Sequence, residues 1–188
     1  MNLSSHHDVA VWSNSIEGAA VGVWCLHAFG DSHLAFREAF TQPIARHCRV
    51  LLLDLPGHGA SPPRRDGLTI DIASTIVTEL IGEYSEGRAV ALVGHSMAAI
   101  LATRVANELA QVRLVVSVEG NLIAADAYFS GQAAAYDDPR AFWANLRKQI
   151  DGMAAEDERV RQYACSLALA DAFTLWTLGR SVAACAEC

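Results

Sequence analysis

Residues 89–98 read AVALVGHSMA, and the segment AILATRVANEL follows at residues 99–109. The first five residues are an unbroken apolar run, which is typical of a strand that is buried on both faces. The second segment has apolar residues on one side of a helix, at Leu101, Val105 and Leu109. Only a sharp turn fits between the two, so this stretch predicts a strand, a tight turn that carries Ser96, and a helix.

A serine at such a turn is suited to nucleophilic chemistry. A hydroxyl is a poor nucleophile that needs a base and needs N–H donors for the negative charge that develops on the substrate. A strand-to-helix turn points Ser96 Oγ away from the sheet and leaves the N–H of Met97 free at the start of the helix. Small residues two positions before and after the serine, Gly94 and Ala98, allow the strand and the helix to approach closely. The alternative is that Ser96 only caps the helix.

The rest of the chain alternates β-rich and helical segments, the pattern of a parallel sheet flanked by helices. We predict an α/β fold with a doubly wound, mostly parallel sheet that has strands through the sixth. Residues 1–122 would form this core, and residues 123–188 a helical cap segment. The other predicted strands are residues 9–12, 21–26, 49–53 and 114–118. One predicted helix carries Phe36, Phe40 and Ile44 on one face, and Pro43 bends it or ends its regular part. Another covers residues 69–84, and a third starts at Asp138-Pro139. Val160, Tyr163 and Leu167 lie on one face of a further helical stretch, which breaks near Asp171.

Composition excludes several classes of protein. The length of 188 residues suits one domain, and a formal net charge of −7 disfavours binding to the phosphates of nucleic acid or of a membrane surface. Residues 1–8, MNLSSHHD, lack the basic and apolar regions of a secretory signal, and no 18-residue stretch is free of polar groups. Five scattered cysteines fit a reducing compartment. We therefore expect a cytoplasmic protein that binds neither nucleic acid nor membrane.

Metal and cofactor sites are not expected. Cys185 and Cys188 form a single C-x-x-C pair with no second pair and no histidine after it, which is weak evidence for zinc. No sequence feature indicates an organic cofactor.

Three motifs resemble those of the α/β-hydrolase family, and they occur in the order that the family uses. Residues 26–32, LHAFGDS, resemble its HG-F-G-D-S turn, and residues 54–61, DLPGHGAS, resemble its D-x-P-G-H-G-x-S loop. Residues 93–99, VGHSMAA, resemble its V-G-H-S-M-G-G turn around the nucleophile. The resemblance covers residues 21–121 and is strongest to small bacterial serine hydrolases of the esterase type that carry a helical cap.

The resemblance implies roles for individual residues. Ser96 would attack the acyl carbon of a small-molecule ester, and the N–H groups of Phe29 and Met97 would bind the oxyanion. Ala28 and His95 adjoin these groups and would lie at the substrate site. Ala28 and Ala98 replace family glycines, and each adds a methyl group beside the oxyanion site.

The family order of catalytic residues is serine, carboxylate, histidine. Glu119 would be the carboxylate, or else it would bind nearby backbone N–H groups. No histidine follows His95 in the 188 residues. The resemblance therefore predicts a C-terminally incomplete chain with weak or absent activity. The alternatives are a non-catalytic hydrolase-like protein and one half of a split enzyme. An open sheet edge would also favour a homodimer along that edge.

Overall fold

The computed structural model describes residues 2–6, 8–14, 16, 18–121 and 126–186. Its strands are β1 (Asn2–His6), β2 (Val9–Ser13), β3 (Val21–Leu26), β4 (Arg49–Asp54), β5 (Ala89–His95) and β6 (Val112–Val118). Its α-helices are α1 (Ile70–Ser85), α2 (Ala98–Glu108), α3 (Pro139–Ala154), α4 (Glu158–Leu167) and α5 (Ala172–Ala186). In the described ranges, 3-10 helices cover His33–Thr41, Pro43–Arg46 and Ser130–Ala135.

The six strands form one sheet in the order β1-β2-β4-β3-β5-β6. Strand β3 pairs in parallel with both β4 and β5, and β5 pairs in parallel with β6. Strands β1 and β2 add antiparallel pairs at one side. The predicted mostly parallel α/β sheet is confirmed. The chain order reverses at β3, and the open-sheet rule places a ligand site at the carboxyl ends of the strands at such a point.

The sheet has a large core on one face and a smaller one on the other. The large core packs Trp24, Leu53 and Leu92 against α1 and α2, and all three side chains are nearly inaccessible. The small core packs Val50 and Leu52 beneath the first 3-10 helix. Strands β3, β4 and β5 are thus covered on both sides, which explains why their sequences are continuous apolar runs rather than alternating ones.

The segment between β3 and β4 breaks at Pro43, as the sequence predicts, but it is not an α-helix with Phe36, Phe40 and Ile44 on one face. Two 3-10 helices replace it, and the second begins at Pro43. Phe36 and Phe40 pack on the sheet, whereas Ile44 is 46% exposed. A proline fits the first position of a helix but cannot donate the N–H that would continue the preceding one. Ser32 caps the first of the two 3-10 helices, since its hydroxyl accepts from the N–H of Leu34.

The described residues from 126 onward are helical, as predicted, but they are tied to the core. Helix α5 supplies Thr177 Oγ1 to the N–H of Leu68 (2.9 Å) and Ser181 Oγ to the N–H of Ile70 (3.0 Å), so it caps the start of α1. The predicted domain boundary at residues 122–123 lies outside the described residues, and the division into two units stays a prediction. In the described part of the chain, no helix combines the length and the apolarity that a bilayer span requires.

Strand β6 forms an edge of the described sheet. One of its faces carries Leu114, Val116 and Val118, which are exposed by 55, 39 and 39%. An apolar edge of this kind is a surface for strand pairing. Arg113 comes just before these three apolar residues in the sequence, and Glu119 comes just after them. A second copy that pairs antiparallel about Val116 would therefore bring each arginine near the partner's glutamate, which favours the homodimer that the sequence predicts.

The homodimer is a testable prediction. We expect light scattering to give the mass of a dimer, and we expect Val116→Lys to give a monomer because it places two ammonium groups at the twofold axis. Leu169→Lys, at another side chain that is 55% exposed, is the matched control and should leave the dimer intact. A monomer in the unmodified chain would contradict the prediction.

Candidate active site

The predicted tight turn at Ser96 is present. Strand β5 ends at His95, Ser96 has a φ of 55°, and α2 begins at Ala98. A left-handed φ at a residue other than glycine is strained, so the surroundings must hold it. The N–H of Ser96 donates to the carbonyl of Val118 at 2.9 Å, and its carbonyl accepts from the N–H of Ala99 at 3.0 Å. The turn is therefore fastened to both β6 and α2.

Gly94 and Ala98 make the close approach of strand and helix possible. A Cβ built on Gly94 would overlap the carbonyl oxygen of Ala98 and lie 2.8 Å from the nitrogen of Ala99. Backbone atoms at such a distance cannot rotate away, so this position requires glycine. The Ala98 side chain is fully buried, and the turn accommodates its methyl group.

A second turn follows β3 and lies beside the first, since Leu26 is the register partner of Gly94. The N–H of Leu55 donates to His27 Nε2 at 3.0 Å, which leaves the ring proton on Nδ1, and Nδ1 donates to the carbonyl of Ala28 at 2.8 Å. His27 is fully buried by these contacts and holds the turn in place.

The two turns present backbone donors. Among the described residues, the N–H groups of Phe29 and Met97 have no hydrogen-bond acceptor. Free backbone N–H groups beside a serine hydroxyl are the arrangement that stabilises an oxyanion. The side chain of Met97 is fully buried, so this residue contributes through its backbone.

A cleft of about 700 Å³ lies between these turns and helices α3 and α4. This volume suits a small organic molecule. Of the six predicted site residues, five line it: Ala28, Phe29, His95, Ser96 and Glu119. The opposite wall combines the apolar side chains of Ile150, Met153 and Val160 and the ring of Tyr163 with the polar side chains of Asp157, Arg159 and Gln162. The structure thus brings the predicted residues together at one cleft.

Tyr163 connects the helical wall to the turn after β3. Its hydroxyl donates to the carbonyl of Phe29 at 2.8 Å, and burial raises the pKa of this phenol above its ordinary value. The phenol therefore stays neutral and keeps its proton for the hydrogen bond. A Cβ on the adjacent Gly30, which has a φ of 70°, would lie 2.7 Å from Leu167 Cδ1. The glycine thus lets α4 pack closely over the turn.

Ser96 Oγ donates a hydrogen bond to Oδ1 of Asn121 at 3.2 Å. In the described part of the chain, Ser96 Oγ makes no hydrogen bond with a histidine. The Glu119 side chain is 86% exposed and lies 3.7 Å from His95 Nε2. The predicted role of Glu119 as catalytic acid stays a prediction. The side chain that contacts Ser96 Oγ is that of Asn121. Sequence motifs did not indicate Asn121, and its position just after β6 was the available signal.

Hydrogen bonds join Asp54, at the end of β4, to the loop that follows β4 and to the first 3-10 helix. Asp54 accepts from the N–H of His33 (2.6 Å), from His33 Nδ1 (2.9 Å) and from the N–H of Ala60 (2.9 Å). Burial alone would raise the pKa of Asp54, but these bonds, the side-chain bond with His33 above all, lower it to about 2. His58 is fully buried, and burial lowers its pKa to about 3. Both side chains have the contacts of structural residues.

A parallel sheet with a serine at a left-handed strand-to-helix turn, covered by helices, defines the class of α/β hydrolases. The model of the alpha/beta hydrolase family matches residues 25–186. The chain belongs to this family.

Known proteins show the same fold. The N-acyl homoserine lactonase AidH, complexed with N-butanoyl homoserine, superposes with a TM-score of 0.73 at 16% identity, covering 98% of this chain and 70% of that one. A hydrolase from Pseudomonas aeruginosa PA01 gives 0.70 at 20% identity (96% and 71%), and an esterase from Exiguobacterium antarcticum gives 0.68 at 12% identity (96% and 72%).

A curated relative has a higher sequence identity to this chain than the three structures above. It is the dihydrolipoyllysine-residue acetyltransferase component of an acetoin cleaving system from Cupriavidus necator, 34% identical over 117 residues. The match covers 61% of this chain and 30% of the relative's length.

Proposed function

We propose that this chain is a serine hydrolase domain that acts on carboxylic esters, with Ser96 as the nucleophile. The observation that carries the proposal is the turn itself. The strained serine lines a cleft of about 700 Å³, beside two backbone N–H groups that have no acceptor in the described structure. The names of the structural neighbours, a lactonase and an esterase, support ester-type substrates.

The reaction would proceed through an acyl-serine. Ser96 Oγ forms a bond to the ester carbonyl carbon as its proton passes to solvent water, and the carbonyl π electrons move to the oxygen. The N–H groups of Phe29 and Met97 donate to that oxyanion. When the carbonyl re-forms, the bond to the alcohol oxygen breaks and the alcohol leaves with a proton. Water then attacks the acyl-serine, releases the acid and restores the hydroxyl.

The proton of Ser96 requires a base that the described contacts do not supply. Ser96 Oγ donates to the neutral amide of Asn121, and no histidine follows His95 in the sequence. Loss of a triad base lowers turnover by several orders of magnitude. We therefore expect ester turnover by this chain alone to be slow. A covalent probe that reacts with the serine hydroxyl therefore tests the nucleophilicity of Ser96 more directly than a turnover assay does.

The hydrogen bond from Ser96 to Asn121 also favours a second candidate, a non-catalytic hydrolase-like domain. A serine whose proton faces a neutral acceptor has no partner that can remove it. A split enzyme, in which another polypeptide supplies the base, is the third possibility. Adding such a polypeptide would raise turnover without changing which residue is labelled.

Covalent labelling tests the proposal. We expect a fluorophosphonate probe to label Ser96, as identified by peptide mass spectrometry, and we expect Ser96→Ala to abolish the label. Ser130→Ala is the matched control, because Ser130 lines the same cleft and its variant should still be labelled. An unlabelled chain, or a label that survives in Ser96→Ala, would argue for the non-catalytic domain.

A further inference from the structure

Asn121 forms hydrogen bonds with both the backbone and the side chain of Ser96. Its N–H donates to the carbonyl of Ser96 at 3.3 Å, and its Oδ1 accepts from Ser96 Oγ at 3.2 Å. The register of β5 and β6 pairs His95 with Val118, so the chain that leaves β6 passes directly beside the turn.

Gly120 allows this approach. A Cβ on Gly120 would overlap Ser117 Oγ and lie 2.6 Å from the Cβ of Ala99 at the start of α2. The segment after β6 is therefore packed against the helix that follows Ser96. Asn121 is held at a fixed distance from the hydroxyl rather than reaching it from a mobile surface position.

The nitrogen of the Asn121 side-chain amide, unlike its oxygen, makes no hydrogen bond in the described structure. Its Nδ2 is buried and has no hydrogen-bond partner among the described residues. An amide oxygen accepts a hydrogen bond but does not take up a proton near neutral pH, whereas the amide nitrogen can only donate. Rotation of the amide by half a turn would exchange the two groups and direct the nitrogen at Ser96 Oγ.

We propose that Asn121 is a positioning residue for Ser96, an inference that rests on the proposed function. In the resting state Oδ1 accepts a hydrogen bond from the serine hydroxyl and fixes its rotamer. Once Ser96 has lost its proton or carries an acyl group, Oγ can no longer donate, and the rotated amide donates from Nδ2 instead. One neutral side chain thus satisfies both states of the nucleophile without taking part in proton transfer.

A double-mutant cycle tests the contact independently of activity. Urea unfolding of Ser96→Ala, Asn121→Ala and the double variant should show coupling of about fivefold in the unfolding equilibrium constant, the size of one hydrogen bond. Asn107→Ala, at an exposed position of α2, is the control and should be additive when combined with Ser96→Ala. Additive behaviour of the Ser96–Asn121 pair would overturn the proposal.

The pH dependence of fluorophosphonate labelling tests the effect on reactivity. Asn121→Ala should lower the labelling rate constant by about tenfold, the scale of one lost positioning contact. Asn121→Asp should label faster as pH rises through the carboxyl pKa, because an ionised carboxylate at this position can take the serine proton that a neutral amide cannot. A merely structural role would not produce that inflection, and wild-type labelling rates in both variants would overturn the proposal. Absence of labelling in every chain would refute the proposed function, while the cycle would still decide whether Asn121 holds Ser96.

Discussion

Replacing Gly94 with alanine is expected to lower the free energy of unfolding by about 3 kcal/mol, the upper range for forcing a methyl group into a packed interior. The added Cβ would overlap the carbonyl oxygen of Ala98 and lie 2.8 Å from the nitrogen of Ala99. Both obstructing groups belong to the backbone at the start of α2. Relief therefore requires the helix to move away from β5, and that movement also displaces Ser96.

Urea unfolding measures this effect, and Gly82→Ala is the matched control. Gly82 lies within α1, and a Cβ there would meet nothing within 4 Å. Alanine is a better helix former than glycine, so Gly82→Ala should raise stability by about 0.5–1 kcal/mol. If Gly94→Ala were as stable as Gly82→Ala, the close packing of β5 and α2 would be wrong. Fluorophosphonate labelling should also fall in Gly94→Ala, because the N–H of Met97 shifts with the helix.

The central fold could be predicted because its strands are buried on both faces. Continuous apolar runs such as those of β4 and β5 have few other stable arrangements in a chain of this size. Strand β1 escaped prediction because all of its residues, Asn2–His6, are exposed and carry no apolar pattern. Backbone pairing with β2 holds this strand in the sheet. Such pairing depends on where β2 lies and not on the side chains of β1, so the local sequence does not predict it.

The site was predictable where it depends on local chain geometry. Gly94, Ser96 and Ala98 adopt the predicted turn because adjacent residues determine it. Asn121 and Tyr163 reach the site from other elements, 25 residues from Ser96 and 134 residues from Phe29. Such contacts arise from strand register and from the packing of α4. A single sequence contains neither, so the polar partner of the serine became visible only in the structure.

The second large effect concerns acid sensitivity, which we attribute to His58. Burial lowers the pKa of His58 from 6.5 to about 3. Above pH 6.5 the ring is neutral in both the folded and the unfolded chain, and it does not affect the balance between them. Between pH 6.5 and pH 3 the unfolded chain binds a proton that the folded chain does not. Lowering the pH should therefore destabilise the fold by up to about 1.4 kcal/mol per unit.

Urea unfolding between pH 6 and pH 4 separates this contribution from that of Asp54. The pKa of Asp54 falls from 3.8 to about 2, so its contribution to stability is lost only below about pH 4. His58→Asn keeps a donor for the carbonyl of Pro56, which His58 Nδ1 contacts at 3.1 Å, and should flatten the slope between pH 6 and pH 4. His47→Asn, at an exposed histidine, should leave the slope unchanged. An equal slope in His58→Asn and the parent chain would show that the buried ring does not set the acid limit of this fold.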